Sequence, residues 1–128
     1  MIRLISNDEL DILDYDPIRP HVNKIDVGKR VYVLDDLSAV ICVCYCNDVP
    51  CNEFELENMR DVEGKILVAY TVWSNSRGAG SKIIMALYDL SLKDKSIDRL
   101  VTMSPKTEMA KKFHLSNGPF WLRESDDS

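Results

Sequence analysis

No window of this 128-residue chain reaches the run of about 18 apolar residues that a membrane helix needs. The first residues, Met1-Ile2-Arg3-Leu4, soon meet Asp8, Glu9 and Asp11. A secretory leader has a basic start and then an uninterrupted apolar stretch. The expected location is therefore the cytoplasm. Positive charge is also short: 16 Lys and Arg stand against 21 Asp and Glu, a net charge of −5. Nothing neutralises phosphates in bulk, which argues against general nucleic-acid binding. No repeat, low-complexity tract or linker divides the chain. Its length and its 45% apolar content suit one globular domain over residues 1–123, with an acidic tail at residues 124–128.

There are four cysteines, Cys42, Cys44, Cys46 and Cys51. In a cytosolic setting they should be reduced. The first three alternate along a strand candidate and so share one face. Neighbours two apart on a strand are about 6.5–7 Å apart, wide for three thiolates around one zinc with Zn–S bonds of about 2.3 Å. The expectation is small buried apolar groups on a sheet face, with no metal. A Cys46–Cys51 pair stays open at this point.

The hydrophobic pattern gives an element order. Residues 2–5 form a short strand. Leu10, Ile12 and Leu13 lie near helical spacing, with Asn7 as cap. Pro17 and Pro20 then leave residues 16–21 irregular. Residues 30–34 and 39–45 make a hairpin about Asp35-Asp36, and the second of these reads as a central strand. A short, weakly amphipathic stretch covers residues 53–59. Residues 65–73 are the strongest strand in the chain, with Tyr70 facing the same way as Val68 and Val72. A glycine-bearing loop follows, then a helix to about Lys93. Residues 99–103 form a strand, 105–116 a helix begun by Pro105 and stopped by Asn117-Gly118, and 119–123 a last strand. The strand–loop–helix–strand middle requires a parallel crossover.

The loop carries the chemistry. Glycines allow positive φ and close approach of a ligand to the backbone. The first N–H groups of a helix have no intrahelical partner and, with the dipole, favour an anion. Gly78-Ala79-Gly80 spaces two glycines by two, and Arg77 puts a permanent cation beside them. No Lys-Ser/Thr follows in Walker spacing, which argues against nucleoside triphosphate hydrolysis. No acidic residue stands where a dinucleotide site needs one, because Asp98 precedes the next strand.

Asn75-Ser76-Arg77-Gly78-Ala79-Gly80 resembles the coenzyme A loop of the GNAT N-acetyltransferases, Gln/Arg-x-x-Gly-x-Gly/Ala, which lies between their fourth strand and third helix. Asn75 departs at the first position. Downstream, the family's last helix often reads Asn-x-x-Ala-x-x-Phe-Tyr, followed by Gly-Phe. Here Thr107, Ala110, Phe113, His114 and Gly118 take those places, with Phe120 displaced by one. Thr107 replaces the asparagine and His114 the tyrosine. The resemblance covers roughly residues 30–120.

The resemblance implies an α/β (mixed α+β) acyl-CoA N-acyltransferase fold. Its sheet would have about six strands and a parallel crossover flanked by helices, with the family's last strand missing. It implies acetyl-CoA as co-substrate and a small amine or protein amino group as acceptor. Val72, Trp73, Asn75, Arg77, Gly78, Ala79, Gly80 and Ser81 would bind the cofactor, with a backbone N–H of Val72 or Trp73 on the thioester carbonyl. His114 would take the place of the family's acid and donate to the leaving sulfur, a task an imidazolium suits. Residues 66–73 hold no Asp or Glu to act as base. Glu53, Glu55 and His21 read as surface residues. The departures leave a second expectation open: a catalytically silent member of the fold with a structural or interaction role, for instance in a virion. With the last strand missing, the acceptor cleft is open, or closed by a second subunit in a homo-oligomer or larger assembly, or not used.

Overall fold

The computed structural model describes residues 2–104 and 121–124. Six strands form one sheet in sequence order: β1 (Ile2–Leu4), β2 (Lys29–Leu34), β3 (Ala39–Cys46), β4 (Ile66–Ser74), β5 (Arg99–Ser104) and β6 (Trp121–Glu124). The first four are antiparallel neighbours, and β4, β5 and β6 run parallel. Two α-helices accompany them, α1 (Glu53–Met59) and α2 (Ala79–Lys93), and a 3-10 helix spans Asn7–Tyr15. This is the mixed α+β architecture expected from the sequence, with β4–α2–β5 as the parallel crossover.

Local chemistry accounts for the elements. At the β2–β3 turn, Asp36 Oδ1 accepts from the Ser38 N–H at 3.0 Å and from its hydroxyl at 2.6 Å. All eight residues of β3 are buried, as a strand covered on both faces must be. In α1, Asn52 Oδ1 accepts the Glu55 N–H at 2.9 Å, and Glu53 and Glu55 place negative charge in the first turn. The 3-10 helix begins one residue earlier than the Asn7 cap predicts. Ser6 is the cap, and its N–H donates to Glu9 Oε1 at 3.1 Å. The bidentate Arg3 clamp, both bonds 2.8 Å, and then the Ser6 N–H hold the Glu9 carboxyl at about 2.

The sheet has an apolar cluster on each face. Tyr32, Ile41, Val43, Leu67 and Ala69 meet Ile83, Ile84 and Leu87 of α2. On the other face Val31, Val33, Cys42, Cys44, Cys46, Val68 and Tyr70 meet Leu56 of α1 and Ile12 and Leu13 of the 3-10 helix. The three thiols therefore share a buried face, as their alternation predicts. No disulfide forms among the four cysteines. No group of three His, Cys, Asp or Glu that could hold a metal occurs among the described residues.

One expectation is corrected. Val68 and Tyr70 lie on the thiol face, but Val72 packs on the α2 face. The reason is a bulge: Val43 pairs with Ala69 and Cys42 with Thr71, so Tyr70 has no opposite residue. One extra residue reverses the alternation beyond it.

On the other edge of β4, pairing with β5 runs only from Ile66↔Arg99 to Ala69↔Thr102. Beyond that point β4 continues to Ser74 while β5 pairs with β6 through Ser104. The two strands part beside the bulge.

Two boundaries also move. Helix α2 starts at Ala79, between the two glycines rather than after them. Glu124, placed in the acidic tail by its composition, ends β6. The helix expected over 105–116 and the tail residues 125–128 lie outside the described residues, and no described helix is long and apolar enough to cross a membrane.

Candidate functional site

The strand β4 delivers the chain to residues 75–80, and the loop is tied to the β2–β3 turn where the Asn75 N–H donates to the Ser38 carbonyl at 3.0 Å. The Ala79 N–H donates back to the Ser76 carbonyl at 3.1 Å, closing a turn. Gly78 caps α2 in the left-handed region, with φ of 82°. Only glycine takes that conformation at no cost, so this is what the first glycine is for. A Cβ on Gly78 would meet nothing within 4 Å, whereas one on Gly80 would lie 3.6 Å from Ser74 Oγ. The space over Gly78 is open, and a Cβ on Gly80 would make only ordinary contact with the Ser74 side chain at the end of β4.

Two cavities flank the Ser38–Asn75 contact. One, of about 260 Å³, is polar and bordered by Asp35, Asp36, Ser76, Arg77 and Lys82. The hydrogen bonds from Ser38 hold the Asp36 carboxyl below its ordinary range, so it faces Arg77 and Lys82 as an anion at neutral pH. The other, of about 400 Å³, is mainly apolar and bordered by Ile12, Tyr15, Pro17, Leu37, Trp73 and Asn75.

Of the residues singled out in the sequence, Asn75, Arg77, Gly78, Ala79, Gly80 and Ser81 come together at the head of α2. Val72 and Trp73 precede them on opposite faces of β4. His114 lies outside the described residues, as do Thr107, Ala110, Phe113, Gly118 and Phe120. Lys82, three residues past Ala79 in the first turn of α2, belongs to no sequence motif, and the structure places it beside Arg77.

A second assembly was not legible at all. The irregular segment after the 3-10 helix carries Arg19 into the gap between β4 and β5, where the residue is only 3% exposed. Its Nε donates to the Tyr70 carbonyl at 2.9 Å, and its Nη2 to the Met103 carbonyl at 3.5 Å. Its Nη1 meets Glu53 Oε1 at 2.9 Å, and Glu53 Oε2 meets His21 Nε2 at 2.7 Å. His21 is exposed, as the sequence suggests, but it is joined to the half-buried Glu53, which ties it to the sheet. Burial pushes the Glu53 carboxyl up, but the bonds from His21 and Arg19 outweigh it and hold it below the usual range. The same segment is pinned by Asp16, whose Oδ2 pairs with Lys24 Nζ at 2.9 Å and whose Oδ1 accepts the Arg19 N–H at 2.9 Å.

No family model matches this chain, and neither does any curated protein. Among solved structures it is similar to GphF, a GNAT-like decarboxylase in complex with isobutyryl-CoA. The TM-score is 0.63 at 12% identity, over 92% of this chain and 72% of that one. It is also similar to the malonyl-CoA decarboxylases of Cupriavidus metallidurans, with a TM-score of 0.57, 18% identity and 88% of this chain covered, and of Rhodopseudomonas palustris, with 0.57, 17% and 97%. It spans about a third of the length of these two, 32% and 36%. At such identities the likeness is one of fold, and by it this chain has a GNAT-like fold.

Proposed function

We propose that this chain binds a coenzyme A thioester and transfers the acetyl group of acetyl-CoA to a small amine or a protein amino group. The observation that carries the reading is the head of α2, opened by the left-handed Gly78 and flanked by Arg77, directly after a strand that parts from its parallel neighbour. The N–H groups of Gly80 and Ser81, with the helix dipole, suit the pyrophosphate, and Arg77 adds a bidentate cation. Tyr70 turns its carbonyl to the open edge of β4. By the two-residue alternation of a strand, Val72 turns its N–H the same way, which favours it over Trp73 as donor to the thioester carbonyl. Such a donor stabilises the oxyanion as the amine attacks. The thiolate that leaves takes a proton from His114, and His21, held by Glu53, is the candidate base for the ammonium.

A second reading keeps the ligand and changes the reaction. The three similar structures named above are decarboxylases, which favours loss of carbon dioxide from a malonyl-type thioester. The two are separated by incubating the protein with acetyl-CoA and an amine panel, and with malonyl-CoA alone. Amine-dependent release of free coenzyme A thiol supports transfer. Conversion of malonyl-CoA to acetyl-CoA without amine supports decarboxylation. A thermal upshift with neither reaction leaves a silent, ligand-binding member of the fold. No upshift with millimolar coenzyme A, acetyl-CoA or malonyl-CoA removes the reading.

A further inference from the structure

Arg19 is a buried cation on a loop with no regular structure, and its two sheet acceptors have something in common. Tyr70 is the bulge residue of β4, one past Ala69; Met103 is one past Thr102. Ala69↔Thr102 is the last pair the two strands make, so Arg19 bonds to each strand at the first residue beyond it. Where parallel strands diverge, the carbonyls facing the gap lose their cross-strand donors, and buried carbonyls need replacements. A guanidinium is a rigid fork of five donors, so one group can serve both strands and fix the distance between them. A lysine ammonium, a point charge on a flexible stem, cannot hold that geometry. The fork is itself held: Glu53 Oε1 takes Nη1 at 2.9 Å, Asp16 Oδ1 takes the Arg19 N–H at 2.9 Å, and Lys24 Nζ donates to the Arg19 carbonyl at 2.8 Å.

We propose that Arg19 is a positioning residue, a wedge that keeps β4 and β5 apart and so forms the slot for the acyl end of the thioester. The wedge stands on the hydrogen bonds alone, and only the identity of the slot's ligand rests on the coenzyme A reading. The test uses the full chain, wild type and Arg19→Lys, with Glu53→Gln as a milder variant that loosens the fork without removing it. Two readouts are taken: amide hydrogen exchange without ligand, and affinities for acetyl-CoA and for coenzyme A by calorimetry.

Arg19→Lys is expected to speed exchange about tenfold at residues 70–74, while amides of β2 and α2 keep their protection. It should reduce the affinity for acetyl-CoA about tenfold and leave that for coenzyme A within about twofold, since only the acyl end meets the slot. Glu53→Gln should move both readouts the same way by less. Unchanged exchange at residues 70–74 in both variants overturns the wedge, whether or not any ligand binds. Faster exchange with equal weakening of both ligands reduces Arg19 to a stabiliser and overturns its positioning role. A wild type that binds neither ligand overturns the coenzyme reading and the slot's assignment with it, and exchange still decides the wedge.

Discussion

The Nε of Arg19 lies 2.9 Å from the carbonyl oxygen of Tyr70, a residue 51 positions further along the chain. That bond joins an irregular segment to the bulge where the β3–β4 register shifts. It sits beside two ion pairs, Lys24–Asp16 and Arg19–Glu53, with His21 hydrogen-bonded to Glu53 at the exposed end, and together they anchor the segment onto the thiol face of the sheet.

The acid limb of stability should pass through Asp16. Burial pushes its carboxyl up, but the Arg19 N–H, Lys24 and the Ile18 N–H outweigh it, so the folded-state value lies below the ordinary one of about 3.9. A depressed carboxyl stabilises the fold above its unfolded value, and that stability is lost as pH falls through the folded one. Asp16→Asn leaves Lys24 buried without its counter-ion, which costs about 3–5 kcal/mol at pH 7. Thermal melts from pH 7 to pH 2 should show a lower Tm for the variant at neutral pH and a shallower fall below about pH 4. Parallel acid limbs would count against this account.

The hydroxyl of Tyr70 should be dispensable. The side chain is fully buried, and its Oη has no hydrogen-bond partner among the described residues. An unsatisfied buried polar group costs about 1–3 kcal/mol. Tyr70→Phe removes that group and keeps the ring, so chemical denaturation should show equal or greater stability. A loss above about 1 kcal/mol would mean that the hydroxyl is bonded after all.

The loop at the head of α2 separates backbone from charge. Gly78→Ala forces a side chain into the left-handed region and should cost about 1–2 kcal/mol of stability. Arg77→Ala should leave the melting temperature nearly unchanged and weaken coenzyme A binding about tenfold or more, the worth of a charge-assisted bond. Full affinity in the Arg77 variant would move the pyrophosphate elsewhere.

The thiols should divide into two classes. Cys42, Cys44 and Cys46 are buried, and burial pushes the Cys42 thiol far above its ordinary range, while Cys51 is half-buried. A thiol reagent at pH 8 should modify Cys51 first, and the other three only on unfolding. Simultaneous modification of all four in the native protein would contradict the packing.

His114→Phe tests the acid. If the protein transfers acetyl groups, turnover should drop about 10²–10⁴-fold with coenzyme A affinity retained. The wild-type rate should fall at high pH, because the acid must be protonated to donate. Equal turnover in the variant removes His114 from the chemistry.

Much of the architecture could be read from the residues alone. The all-apolar run of β3 and the 3.6-residue spacing in α2 are local signals, and each element they define is present in the structure. The bounds expected for α1, residues 53–59, match because Asn52 and the two glutamates mark its start. The loop at Arg77–Ser81 was legible because glycine pairs and a helix onset are a local pattern. Its second cation, Lys82, was not, since a lysine on a helix gives no sign of which cavity it borders.

What the sequence by itself determined is the order of elements, the thiol-bearing central strand and the glycine-opened head of α2, because period and punctuation act over a few residues. Only the tertiary structure decided the rest. A bulge at Tyr70 is a mismatch between two strands, and neither strand's sequence records it. Arg19 reads as one more surface charge in a proline-rich segment until its acceptors, carbonyls of two distant strands, come into view. Backbone carbonyls carry no residue identity. A site built from them is therefore invisible in the sequence and appears only once the strands are placed beside each other.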